Sequence, residues 1–176
     1  MRAYVALLIV LGAVLLRDTT VVQACGDKFL QVGRGVRFHR AYAAIHPASI
    51  VIYATAQRRA ATAIREPRLQ TELKLAGHRV LLIEDDAALA RALESNRVDL
   101  VLTDAADADR TSKQAALSLS KPAVLPVMYE PTREEAKEIE ARYQCRLRGS
   151  DRADRYLVAI DDAMKARVDQ RKKQTP

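Results

Sequence analysis

The sequence predicts an α/β protein: a three-layer αβα sandwich on a five-stranded parallel sheet. Three observations predict it. Short apolar runs rich in Val, Ile and Leu recur from residue 49 onward without polar alternation, as strands buried on both faces require. Charged, Ala-rich segments of helical periodicity separate these runs. The connections are short, so successive strands become βαβ units with right-handed crossovers, and helices cover both faces of the sheet.

The elements follow in order. "SIVIYA" (49–54) is a β-branched run and the first strand. Residues 55–77 have helical composition, with Pro67 expected to kink or split the helix and Gly77 to stop it. "RVLLIE" (79–84) is a second buried strand. Residues 85–97 form an amphipathic helix that places Ala88, Leu89, Ala92 and Leu93 on one face, with Asp85 and Asp86 at its positive end. "VDLVLTD" (98–104) is the third strand and 108–120 a weaker helix. "PAVLPVMY" (122–129) is the fourth strand, in which Pro126 predicts a bulge or an early end. Thr132 and Glu135 spell a capping box for a helix over 132–143. "QCRLRG" (144–149) is a short fifth strand. Residues 150–173 close the domain as a helix whose inner face carries Tyr156, Leu157, Ile160, Met164 and Val168. No repeat of 20 to 50 residues is evident.

The 176 residues suffice for one domain with a real core, placed at 48–170. Before it, "AYVALLIVLGAVLL" (3–16) is an uncharged run behind Arg2. It is shorter than the ~20 residues a spanning helix needs. A short apolar core behind a basic start, ending near Ala24, reads as a removable signal peptide over 1–24. The alternative is an uncleaved anchor. Residues 25–47 form a lead-in with one short helix around Phe38 to Ile45, and 171–176 a basic tail.

Cleavage after Ala24 would make Cys25 the first mature residue, so Cys25 is a candidate for lipidation. Cys25 and Cys145 are also candidates for a disulfide in an oxidising compartment. The net charge of +7 falls by one unit on cleavage and is scattered, clustering only at "RKK" (171–173). That pattern, with aromatics at 5% and no Trp, argues against a nucleic-acid partner.

The run "VDLVLTD", set in this alternation, resembles the receiver domain of bacterial response regulators, a flavodoxin-like fold. The resemblance implies the strand order 2-1-3-4-5. It also implies that Asp104, at the end of the third strand, occupies the phosphoacceptor position. Receivers close the first strand with an acidic pair that grips Mg²⁺. Here Tyr53, Ala54 and Thr55 stand there, and the Thr/Ser and Lys-Pro that follow the fourth and fifth strands in the family are absent as well. In a second register Glu84, Asp85 and Asp86 would be the acidic cluster and Glu130 the acceptor's substitute. That register leaves "SIVIYA" unexplained and too little chain after Glu130, so the first is preferred.

Asp104 is therefore expected to be inactive. "VGRGVRF" (32–38) lacks the Lys-Ser/Thr of a phosphate loop, and the three histidines have no ligand spacing with the cysteines. No metal, cofactor or catalytic residue is expected. The expected function is an exported, periplasmic or extracellular receiver-like module that works through protein contacts. Homodimerisation is expected on the face of helices 132–143 and 150–173, with membrane attachment only through Cys25 or an uncleaved leader. The alternative is a small-ligand binder using the carboxyl rim of the sheet, with Thr55, Asp104 and Tyr129 around the ligand.

Overall fold

The computed structural model describes residues 43–95 and 97–174. The leader, the glycine-rich part of the lead-in and Cys25 lie outside the described residues.

Five strands form one parallel sheet in the order β2-β1-β3-β4-β5. They are β1 (Ser49–Tyr53), β2 (Arg79–Ile83), β3 (Leu100–Asp104), β4 (Ala123–Met128) and β5 (Leu147–Arg148). The helices are α1 (Ala61–Ile64), α2 (Pro67–Leu75), α3 (Asp86–Glu94), α4 (Ala108–Leu117), α5 (Arg133–Tyr143) and α6 (Ala153–Gln174), with a 3₁₀ turn at Ala105–Asp107. Strand order and layers are as the sequence predicts. β1 lies between β2 and β3, and Glu84 to Asp86 follow the second strand.

Two apolar clusters hold the layers together. On one face Ile64, Leu69 and Leu73 of α1 and α2 meet Tyr156, Leu157 and Ile160 of α6 over Ile50, Ile52, Leu100 and Leu102. On the other, Leu89 and Leu93 of α3 cover Val51, Tyr53 and Val101. Alternate residues of β1 and β3 point to opposite faces, so both faces need apolar side chains and the strands read as unbroken runs.

Several elements are shorter or differently placed than predicted. The 55–77 helix is two helices, because Pro67 starts α2 as its first residue and α1 ends at Ile64. Residues 54–60 are loop. α3 and α4 stop at Glu94 and Leu117, short of 97 and 120. β5 pairs only through Val127–Leu147 and Met128–Arg148, so most of 144–149 is not strand. The described part of the predicted lead-in helix, 43–45, is not helical.

Pro126 neither bulges nor ends β4. Ala123 donates to Asp99 O and Gly149 to Met128 O, so odd residues of β4 bond β3 while even ones face β5. The N–H missing at Pro126 thus lies on the outer side, one residue before β5 begins to pair. No ladder bond is lost.

β2, an edge strand as the order 2-1-3-4-5 requires, is not buried on both faces as its apolar run predicts: Leu81 is 53% exposed. At the amino pole, Arg167 donates to Asp99 at 2.6 Å while the other Asp99 oxygen accepts from Ser49 N–H at 3.0 Å. One carboxylate there ties α6 to β1 and β3.

Candidate functional site at the carboxyl rim of the sheet

β1, β3 and β4 all end at the same rim, and the loops that leave them carry the polar side chains. Asp104 closes β3. It is 7% exposed, and both its oxygens are engaged by main chain. Oδ2 accepts from Ala60 N–H at 2.9 Å and Oδ1 from Ala106 N–H at 2.8 Å. The first bond ties β3 to the loop after β1. The second caps the 3₁₀ turn, the local role an aspartate plays before a helical start.

Three residues on, Asp107 is buried and takes two cations. Arg58 reaches it from the β1 loop with Nε at 2.8 Å and Nη2 at 2.7 Å. Arg110, one turn later, adds Nη2 at 3.1 Å. Hydrogen bonding to Asp107 raises the Arg58 pKa above its ordinary value. Arg110 also pairs with Asp86 and donates to Tyr53 Oη at 2.8 Å, its guanidinium 5.8 Å from the Tyr53 ring centre.

Tyr53 in turn donates to Asp86. Burial first, then this hydrogen bond, pushes the Tyr53 phenol up to about 12, while the bond from Tyr53 holds Asp86 below the usual carboxylate range. Asp85 caps α3 through Ala88 N–H at 2.7 Å, whereas Asp86 turns away to the rim network. The predicted pair of dipole-capping acids therefore divides into two roles. Arg65 bonds Ala54 O with Nε at 2.9 Å and Glu84 at 3.2 Å, closing the β1 end from the opposite side.

Beside this network opens a cleft of about 580 Å³ between the β1 loop, the ends of β3 and β4, and α5. Asp104 and Tyr129 line it, and Tyr129 is 46% exposed. Thr55 does not line it. Its walls carry Arg58, Arg59 and Arg142 against Glu130, Glu135 and Glu138. Arg142 is braced by Asp109 at 2.6 Å and Glu138 at 2.8 Å, and Tyr143 Oη donates to Asp109 at 2.8 Å. These contacts fix α5 against α4.

The structure thus brings Asp104 and Tyr129 to one cleft and leaves Thr55 outside it. Cys145 is buried in the core just before β5 and does not line the cleft. Sequence reasoning missed Tyr53, Arg58, Asp107 and Arg110 as one network. The usable signal was the spacing of Asp104, Asp107 and Arg110 by three, which stacks them on one side of a helical start.

No group of three or more His, Cys, Asp or Glu among the described residues is placed to hold a metal ion. No helix among them is long and apolar enough to cross a membrane. The chain matches no protein-family model, no curated protein and no solved structure.

Proposed function

We propose that this chain is an exported, receiver-like module that does not accept phosphate and acts through protein contacts at the carboxyl rim. The observation that carries the reading is the state of Asp104. A phosphoryl acceptor needs a carboxylate oxygen free to attack and a cation beside it to neutralise the incoming charge. Both Asp104 oxygens instead accept main-chain N–H groups. Phosphorylating either one would leave a buried donor unpaired, a cost of about 1–3 kcal/mol.

The neighbouring positions support the same reading. Tyr53, Ala54 and Thr55 leave β1 with no carboxylate, and Arg58 and Arg110 are already neutralised by Asp107 and Asp86. A polar network so closed is a rigid surface for a partner to read. Export rests on the apolar run behind Arg2 and the small residue Ala24, and it separates the module from cytoplasmic kinases.

The test is intact-mass measurement of the chain after incubation with acetyl phosphate and Mg²⁺. No phosphoryl adduct is expected; an adduct mapped to Asp104 would overturn the reading. Sequencing the mature amino terminus after bacterial expression tests export, with Cys25 expected as the first residue.

The cleft favours a second reading, a small-ligand binder. Its volume of about 580 Å³ falls in the range of pockets that hold metabolites, and it combines the Tyr129 ring with charges of both signs. A thermal-shift screen of charged metabolites separates the two. A saturable rise in Tm that Tyr129→Ala abolishes selects the binder.

A further inference from the structure

The two edges of the sheet are treated differently. At one, β5 is two residues long, and β4 puts Pro126 on its outer side, so little of that edge can template another strand. At the other, β2 runs five residues, Arg-Val-Leu-Leu-Ile, with no proline, no bulge and a single charge at its start. Leu81 is 53% exposed and, with Ala88 and Ala92, lines a groove between β2 and α3. Among the described residues no strand pairs with this apolar edge, an unusual arrangement for an exposed strand.

Its hydrogen-bonding phase can be read directly. Arg79 N–H donates to Ala48 O, and Ile83 O accepts from Ala54 N–H. Odd residues of β2 therefore bond β1, and Val80, Leu82 and Glu84 turn their N–H and C=O groups outward. An antiparallel partner bonds those even residues. A two-fold axis through Leu82 sets Leu82 opposite its own copy and Val80 opposite Glu84. On the other face it sets Leu81 opposite Ile83 and Arg79 opposite Asp85. Both charged residues are exposed. The edge is thus complementary to itself in hydrogen bonds, in the Leu82 and Leu81–Ile83 contacts and in the Arg79–Asp85 charges, while Val80 faces Glu84.

We propose that the chain forms a homodimer through β2, two copies pairing antiparallel about Leu82 into one continuous ten-stranded sheet. The partner is a second copy because the charge order, basic at the start of the strand and acidic past its end, is satisfied by the strand's own reversal. This surface meets the rim only at Glu84 and Asp85 and is distinct from the face of α5 and α6.

Sedimentation of the full chain tests it. The wild-type chain sediments as a dimer. Arg79→Glu raises the dissociation constant at least about tenfold, since two cross-strand pairs turn from attraction to repulsion. Arg79→Glu with Asp85→Lys restores the dimer. Asp85→Lys also removes a helix cap, so a second measurement is independent of it: Leu82→Cys under mild oxidation. Facing Cα atoms in a hydrogen-bonded pair lie about 5.5 Å apart, within disulfide reach. Leu82→Cys gives a covalent dimer and Val80→Cys does not. A monomeric wild-type chain overturns the proposal, whatever else covers the edge. So does a dimer indifferent to Arg79→Glu and uncrosslinked at residue 82, which places the interface elsewhere, the α5 and α6 face included.

Discussion

Arg58 grips Asp107 with two parallel hydrogen bonds of 2.8 and 2.7 Å, joining the loop after β1 to the turn after β3. The Asp107 side chain is 2% exposed and that of Arg58 41%. The pair is therefore neither a screened surface bridge nor a wholly buried one. Arg58→Ala leaves Asp107 with Arg110 alone. Its expected cost is about 1–2 kcal/mol, between the values for exposed and buried pairs. Asp107→Ala should cost more, because two guanidiniums then face each other with no anion between them. Urea unfolding at constant m-value measures both. A cost within error of zero for Asp107→Ala would show that the network adds nothing to stability.

Asp104→Asn probes the clamp at the end of β3. The amide keeps one acceptor oxygen but sets an N–H₂ against either Ala60 N–H or Ala106 N–H. The expected loss is about 1–3 kcal/mol, the cost of a buried donor left without an acceptor. Had Asp104 been a solvated phosphoacceptor, the same change would be nearly neutral for stability, so the unfolding midpoint discriminates.

How much of this was legible follows from how local each signal is. β1 and β3 are dominated by short runs of Ile, Val and Leu, and their identity needs no tertiary information. The capping box at Thr132 and Glu135 is likewise written within four residues, and the structure contains it. β5 was over-read because two paired residues leave no periodicity to count. The order 2-1-3-4-5 already puts β2 at an edge, but the exposure of Leu81 was not legible, because an apolar run looks the same whether one face or both are covered. Asp104 was found from "DLVLTD", but its partners were not. Arg58 and Asp107 lie 49 residues apart and Tyr53 and Arg110 57, and no local pattern encodes such pairs.

Tyr53 carries an alkaline prediction. Its phenol donates to Asp86 and is raised to about 12 in the fold, from an ordinary value near 10. A group with a raised folded pKa stabilises fully below the unfolded value and loses that contribution as pH climbs toward the folded one. Stability should thus fall between about pH 10 and 12. Tyr53→Phe should flatten part of that fall and cost about 1–2 kcal/mol at neutral pH, a hydrogen bond to a charged acceptor. Phenolate absorbance should show Tyr53 titrating after an exposed tyrosine. Early titration would refute the contact.

His78 makes the acid-side prediction. Nδ1 accepts from Ala48 N–H at 3.2 Å, which requires a neutral ring, and the side chain is buried. Burial lowers the pKa below its ordinary value of 6.5, with the Asp161 carboxylate opposing. A depressed pKa means the stabilisation is complete above the unfolded value and is lost as pH falls through the folded one. Stability should be flat above about pH 7 and decline below about 6.5. Asp86, Asp109 and Glu135 sit below the ordinary carboxylate range and contribute only at lower pH. His78→Asn keeps an acceptor for Ala48 and removes the titration. Its stability should not bend between pH 7 and 5, and a bend of wild-type size would assign the transition elsewhere.

Gly77 offers the cleanest backbone test. At φ +101° it ends α2 with its own N–H on Lys74 O at 3.0 Å and that of His78 on Leu73 O at 3.1 Å, a Schellman pair of bonds. A Cβ added there would meet nothing within 4 Å, so any cost of substitution is conformational and not steric. Gly77→Ala should lose about 1 kcal/mol, Gly77→Asn less, and Gly77→Val most, in the order in which side chains tolerate positive φ. Because His78 follows directly, a distorted cap would also loosen the Ala48 contact. The Ala and Val variants should then start from a lower stability and show a shallower acid decline, because a loosened His78 differs less from its unfolded state. Equal stability for Ala, Asn and Val would mean that α2 ends by some other device.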